Sequence, residues 1–566
     1  MLNAVGGKAR RGTRAALAGL IRGVTSRRVM RSGAARHAWH AALSVPGIPD
    51  RRRVALAKRV QASMTRAGHP SSAAAATDSA TRRLRDSRAK LELLGPLTDA
   101  ELADGRIPRH LETVAAAELA NADALYLAGR VGQAITSLNR AMNLLFHRVL
   151  HYDNLSSPLA DDPESFLRPF HRSAVGQRIA APRGRREPAA PPPGDRPLRL
   201  LFFTGVNDNF LGEIRDRYEN HPGVEVRCLD FTDGPLRELL NNSRRRLLLH
   251  GMNRESEYGD HAADLLRPHL DWADTVFVDW CVSAAGVLSM VDPGTTRIVH
   301  RLHSFEAFSV WPHLVDFSRV DDIVFVSEHL RDLGVAVVPR LAGPDAPRTH
   351  VISNAMDLRR FPAEKSTQAR FNLGLVGISA VAKDPRWAVE VLRALRRHDD
   401  RYRLLLVGSD INPEQGPGIR RYRDAFEADL ADLEPEGIVR RLGQTSDVPA
   451  ALTDVGVILS TSARESFHCA LVEGAASGAV PVVRNWPFFA GKARGAHTLF
   501  PVDWVVDTPE QAATRILAVT SDEEVWRKAG RAASAYVLET WDWTVVRQDF
   551  DRLFLGPIDR EDHATP

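Results

Sequence analysis

Cysteine is scarce in this 566-residue chain: Cys228, Cys281 and Cys469 are scattered and odd in number. That excludes a disulfide framework and a cysteine metal cluster. Long hydrophobic runs are missing too. No stretch approaches the roughly 18 apolar residues of a membrane span, and no signal-peptide pattern is visible, so a cytoplasmic protein is expected. Glycine is thin where a nucleotide-binding fold uses it most. After the first buried strand, LRLLFFT, only Gly205 and Gly212 remain of a Gly-rich turn, and no strong phosphate loop is expected there.

Acidic residues are nearly absent from the first 60 positions, which hold fourteen Lys and Arg against Asp50 alone. The whole chain carries a formal +5, so this segment is +13 and the remainder −8. Such a segment suits an anionic membrane surface, an acidic polymer or nucleic acid, and AALAGLIRGV within it has the short amphipathic pattern of an interfacial helix. A basic arm with no dedicated partner is the alternative reading. Among partners, peripheral contact with an anionic membrane is expected ahead of nucleic acid.

The length suffices for two core-forming domains and an extension. Residues 1–97 read as a basic, partly disordered arm, with the low-complexity run Ser71–Ala76 expected to be flexible. Residues 98–180 read as helical. Within them Asn121–Leu145 resembles a single tetratricopeptide unit, with Tyr126, Gly129, Ala134, Leu138 and Ala141 where a helix-turn-helix needs bulky and small residues. One unit cannot bury its own face, so a hairpin packed on the main body is expected, not a peptide-binding array. Residues 181–197 are a Pro/Arg-rich linker.

From Leu198 the strands LRLLFFT, EVRCLDF, TVFVDWC, TRIVHRL and DIVFVS recur between helix-length segments, which argues for a doubly wound domain over 198–350. Polar groups end three of them: Asp279-Trp280, His303-Ser304-Phe305-Glu306 and Ser327-Glu328. Strand ends at the carboxyl edge of such a sheet are where ligands bind. Ser327 reads as a helix cap. A second domain, 351–535, opens with VISNAMDLRRF; its strand FNLGLVG ends at Gly377, and Lys383 follows six residues later, before the N-cap and N1 pair Asp384-Pro385. A lysine beside a helix N-terminus suits a diphosphate.

The most informative stretch is Val455–Pro487, VGVILSTSARESFHCALVEGAASGAVPVVRNWP. A buried strand, a polar loop, an Ala-rich helix expected from near Glu465 to Gly478 and a second apolar strand make one turn of a parallel sheet. On that helix Glu465 and Glu473 would stand about 80° apart and share a side. Glu473 lies among Ala470, Leu471, Val472, Ala475 and Ala476, where a carboxylate is costly unless hydroxyls or amides satisfy it. As structural residues, Glu465 is a charge favoured by a helix N-terminus and Glu473 a carboxylate paired within the protein.

The stretch also resembles the donor-site signature of family 4 retaining glycosyltransferases, in which two Glu eight residues apart flank an aromatic-containing loop and precede a small-residue helix and a Pro-Val-Val strand. Here these are Glu465, Phe467, Glu473, Gly478 and Pro481-Val482-Val483. The run at His303 resembles the acceptor-side segment of that family. VISNAMDLRRF resembles its interdomain run, Ile438–Gly443 with Gln444–Val448 its base-facing strand and loop, and TWDWTVVRQDF its helix crossing back to the first domain. The resemblance covers about 198–550.

It implies an α/β, GT-B architecture: two facing Rossmann-like domains behind a helical N-terminal extension, with a returning helix and tail over 536–566. The implied reaction moves a hexosyl group, with retention, from a nucleotide-sugar, UDP- or GDP-sugar first, to an acceptor, and the basic arm on a cytoplasmic enzyme suggests a glycan or lipid-linked acceptor of cell-envelope polysaccharide synthesis. No cofactor beyond the donor and no obligatory metal are implied, and no convincing Asp-x-Asp pair ends a strand. By resemblance Glu473 would hold the ribose hydroxyls and Glu465 the donor sugar or its departing phosphate region. Lys383 would steady the leaving diphosphate, and His303 would orient the sugar from the opposite domain. Gly377, Ser466, Phe467 and His468 would line the donor.

Two departures stand out. Ile378 occupies the position where the family has an arginine clamp, for which Arg386 is the candidate substitute. Ser466 and His468 replace small residues and should narrow or re-aim the sugar pocket. Two other classes share these features: a nucleotide-sugar epimerase of the same fold, and a non-catalytic scaffold at the inner face of the plasma membrane.

Overall fold

The computed structural model describes residues 27–205, 208–253 and 256–556. The AALAGLIRGV pattern and the last ten residues of the tail lie outside them. The chain divides into two units, one of Met1–Ala103 with Ile107–Ala141, the other of Asp104–Arg106 with Met142–Pro566.

The first unit is helical. In the helix Asp50–Arg66, Val54, Ala57, Val60 and Met64 recur at helical spacing and are buried, while Arg51, Arg52, Lys58 and Arg59 face outward. The helix Pro70–Thr81 packs against it and buries Ala73, Ala76 and Ala80. Arg53 is the inward exception; it donates to the carbonyls of Leu43, Val45 and Ile48. The arm expected over 1–97 is therefore ordered helix from Arg27 onward, and Ser71–Ala76 lies inside a helix. Proline at the first position and a run of alanines favour that helix, and small side chains let it pack closely. The helices Leu111–Leu127 and Val131–Leu145 make the expected hairpin around Gly129 (φ 72°), clasped by Asn121 donating to Ser137 at 2.7 Å and Ser137 to Glu118 at 2.7 Å. No helix among the described residues is long and apolar enough to cross a membrane.

The second unit holds two parallel sheets of six strands. The first is built from β1 (Leu198–Thr204), β2 (Val224–Asp230), β3 (Thr275–Val278), β4 (Arg297–Leu302), β5 (Asp322–Phe325) and β6 (Arg348–Val351), in the order β2-β1-β3-β4-β5-β6. The second is built from β7 (Asn372–Val376), β8 (Arg403–Val407), β9 (Val439–Gly443), β10 (Val457–Ser460), β11 (Val480–Arg484) and β12 (Val505–Val506), in the order β12-β11-β10-β7-β8-β9. Both are Rossmann-like, the GT-B pair of domains. Fully buried strands such as TVFV and VILS read as continuous apolar runs because helices cover both faces.

Strand order reverses between β1 and β3 in the first sheet and between β7 and β10 in the second. Such switch points open a crevice at the carboxyl ends of the strands. The two carboxyl edges meet: Phe308, beyond β4, packs against Phe488, beyond β11, and His329, beyond β5, packs against Trp486 and Phe489. The helix Trp543–Leu555 lies on the first sheet, with Phe550 and Phe554 in one core with Leu200, Phe202 and Phe277. Residues 181–197 form no regular element, yet they are pinned to this domain rather than free. Arg185 pairs with Asp321 at 2.5 Å and donates to the carbonyls of Gly294 and Thr296, and Arg319 donates to that of Gly184.

Candidate functional site

The second switch point gathers the sequence motifs. β7 ends in Gly377 (φ 82°) and β8 in Gly408 (φ 119°), and a Cβ on Gly408 would stand 3.4 Å from the Gly377 backbone. These two left-handed turns need glycine. The chain then makes a short turn, Val381–Lys383, and enters the helix Pro385–Arg396 through Asp384, itself left-handed at φ 44°. Asp384 does not cap the helix with its side chain, as its sequence position suggests. Its carboxylate accepts instead from Tyr422 at 2.6 Å and from Arg484 at 2.6 Å, which hold the unfavourable backbone in place.

The loop after β10 is bound to this turn. Thr461 donates to the carbonyl of Lys383 at 2.5 Å, and the amide of Ala463 to that of Ala382 at 2.7 Å. Lys383 reaches across with Nζ 2.6 Å from Glu465 Oε1, which also accepts from Ser462 at 2.6 Å. The helix expected from Glu465 begins only at Cys469, so Glu465 sits in the loop before it. His468 interrupts at φ 74°, and the Glu465 carbonyl is occupied by His329 Nε2 at 3.0 Å, so the helix is delayed by about one turn.

Burial alone would push the Glu465 carboxyl up; the Lys383 ammonium outweighs it and holds the group at about 2. At neutral pH the pair is ionic and mostly buried, with Glu465 12% and Lys383 28% exposed. His468 lies 3.8 Å from Glu465 through Nε2 and 2.6 Å from Ser460 Oγ through Nδ1. Burial pushes its pKa down to about 4, so it is neutral. Ser460 Oγ accepts from the indole of Trp486 at 3.1 Å, which leaves its own proton for His468 Nδ1 and puts the ring proton on Nε2, towards Glu465.

The other residues separate into groups. Glu473 is half-buried in the helix Cys469–Ala476, and among the described residues nothing hydrogen-bonds its carboxylate. Burial raises its pKa, and Arg360 pulls it partly back. The internal partner expected for it is not there. Ser466 is half-exposed on the loop. Phe467 is fully buried against Trp541, ring centroids 5.4 Å apart, so its side chain is core and only its backbone can meet a ligand. Arg386 gives its Nε to Asp429 at 2.6 Å and is not joined to the Lys383–Glu465 pair. The family's arginine position holds Ile378, 1% exposed and part of the core.

On the facing edge His303 is 3% exposed, its ring stacked on Trp280 (centroids 4.2 Å apart) and on Phe210 (5.1 Å), with Nε2 3.4 Å from Asp279 Oδ1. Burial lowers its pKa, and Asp279 opposes that. Arg301, wholly buried, donates to Asp279 at 3.0 Å and to Asn354 at 2.7 Å, and Asn354 donates to Cys469 Sγ at 3.2 Å. This strut from the first sheet to the helix Cys469–Ala476 was not foreseen: TRIVHRL reads as a buried strand, and nothing local supplies partners for its second arginine. Arg464 was missed as well; its guanidinium lies over Tyr152 (4.9 Å) and Phe308 (5.1 Å), fixing the loop against the first domain.

No protein-family model and no curated protein matches the chain. Among solved structures it is similar to HepE from Anabaena, solved with UDP and glucose, at 18% identity over 64% of this chain and 100% of that one, with a TM-score of 0.47. A glycosyltransferase from Rickettsia africae gives 14% identity, 64% and 100% coverage and a TM-score of 0.45. Sucrose-phosphate synthase from Thermosynechococcus elongatus gives 14%, 63% and 98%, and 0.44.

Proposed function

We propose that the chain is a retaining glycosyltransferase that moves a hexosyl group from a nucleotide-sugar, UDP- or GDP-linked, to a glycan or lipid-linked acceptor. The observation that carries this reading is the Lys383–Glu465 pair, set at the switch point of the second sheet beside the N-terminus of the helix Pro385–Arg396. A diphosphate there meets an ammonium and the positive end of a helix dipole. When the bond from the anomeric carbon to the phosphate oxygen breaks and the acceptor oxygen takes its place, negative charge grows on the diphosphate. Lys383 turns from Glu465 to meet it, and fixed charges of this kind are usually the largest catalytic term.

Glu465, released, faces the donor sugar with His468 Nε2–H beside it. Glu473, half-buried and free of internal hydrogen bonds, is a diol acceptor suited to ribose. His303 acts from the facing edge, its ring positioned by Asp279. Peripheral attachment through the basic arm would bring the site to a lipid-linked acceptor.

Purified protein incubated with UDP-, GDP-, ADP- and CDP-sugars, with nucleotide release and sugar products followed by mass spectrometry, tests the reading. One donor should yield free nucleotide, and Glu473→Gln should raise the KM for that donor at least tenfold. Interconversion of sugars without release would replace the transferase by an epimerase. Absence of binding across the panel, with and without membrane extract, would leave a scaffold.

A further inference from the structure

The first sheet has its own switch point, between β1 and β3, and a cavity of about 480 Å³ lies there. Its walls are Phe203 and Thr204 from the end of β1, Trp280 from the end of β3, Ser283, Phe305 and Trp311. Four of these six side chains are aromatic, and among the described residues the side-chain polar groups of these walls are two hydroxyls and two indole N–H groups. A hexose placed here would bury its hydroxyls against rings that cannot answer them. A hydrocarbon or aryl group would lose nothing, and the volume falls within the range of small-molecule sites.

The cavity is also joined to the reaction centre. Trp280 lines it and stacks on His303, and Asp279, one residue earlier, keeps one carboxylate oxygen without a partner although it is 2% exposed. Phe305, at the other wall, is 45% exposed and accepts from Tyr152 at its carbonyl. The apolar cavity among Phe203, Phe305 and Trp311 thus borders, through the Trp280 ring, on the buried polar pair Asp279 and His303, which do not themselves line it.

From this we infer that the acceptor carries an apolar aglycone, alkyl or aryl, seated in the β1–β3 cavity with its hydroxyl towards His303. The inference rests on the transferase reading for the hydroxyl's role, but the cavity's preference can be measured without turnover.

The test uses the full chain and a series of glucosides, from methyl through butyl and hexyl to octyl with phenyl alongside, all below their micelle concentrations. With the active donor, kcat/KM for the acceptor should rise by up to about fourfold per methylene buried and level off once the cavity is full. The phenyl arm distinguishes an aryl aglycone from an alkyl one. Ser283→Phe, which fills the cavity, should flatten the series. Phe305→Ala, at a half-exposed position, should weaken it without threatening the fold. Independently, hexyl glucoside should shift the tryptophan fluorescence of the wild type and not of Ser283→Phe. If fluorescence responds by chain length but no nucleotide-sugar turns over, the cavity assignment stands and the transferase reading falls. If nucleotide is released and methyl and octyl glucosides behave alike in both assays, the assignment is overturned and the transferase reading stands.

Discussion

Replacing Lys383 by methionine keeps the side-chain stem and removes the ammonium, and the structure sets the cost. Glu465 is held at about 2 against its usual 4.5. At about 1.4 kcal/mol per pH unit that is a stabilisation of about 3 kcal/mol at neutral pH. With Glu465 12% exposed, a carboxylate left without its partner stays poorly solvated, which falls in the range of about 3–5 kcal/mol for broken buried pairs. For a domain of this size the loss lowers Tm by about 6–12 °C.

The sign with pH is specific. In the wild type the depressed carboxyl contributes stability that is present above pH 4.5 and lost as pH falls through about 2. In Lys383→Met only Ser462 and His468 still oppose burial, so the carboxyl moves up from its wild-type value and the stability it contributes at neutral pH shrinks. Scanning calorimetry from pH 2 to 8 reads both effects. The double variant Lys383→Met, Glu465→Gln should recover most of the loss, because no buried charge remains unpaired. A single variant as stable as the wild type at pH 7, with an unchanged pH slope, would refute the pairing.

Two further outcomes follow from other parts of the second unit. Glu306 is wholly buried, accepts from the amides of His303 (3.2 Å) and Cys281 (3.0 Å), and has its carboxyl raised by burial to about 8. Wild-type stability should therefore decline between about pH 4.5 and 8 by up to about 1.4 kcal/mol per pH unit, and Glu306→Gln should remove that slope; equal slopes in urea titrations would count against it. Gly474 has no room for a methyl group, since its Cβ would meet Ile458 Cγ1 at 2.4 Å. Gly474→Ala should cost about 1–3 kcal/mol in spite of alanine's better helix propensity, and an unchanged or higher Tm would show that the helix Cys469–Ala476 shifts freely on β10.

Legibility in the sequence followed the range of the interactions. Strands were readable where burial on both faces made a continuous apolar run, as in TVFV and VILS, whereas the short Val505–Val506 was not read and the strand orders with their switch points came from the structure. The loop that carries Glu465 was misread as helix because ARESFHCALVEGAA has helical composition throughout. What breaks it is non-local: a bond from His329 in the other domain to the Glu465 carbonyl, and a left-handed His468 fixed by Ser460. Phe467 was placed at the donor by the resemblance alone; its partner Trp541, 74 positions away, buries its side chain. The flexibility read for Ser71–Ala76 within the basic arm was displaced for a similar reason. Charge density suggested an unfolded segment, while the small residues between the charges were spaced for helix packing.

The same non-local bonds give the cleft a mechanical property. Glu465 is held twice, by its carboxylate to Lys383 within the second domain and by its carbonyl to His329 of the first. Arg494 pairs with Glu328 at 2.8 Å and Asp332 at 2.7 Å on that same first-domain helix, and Asn354 ties Arg301 to Cys469. Parting the two carboxyl edges must break the His329 bond, and the backbone of Glu465 then loses the restraint that keeps it out of the helix. The carboxylate cannot keep its position while its own backbone moves, so opening the cleft and releasing Lys383 are mechanically one event.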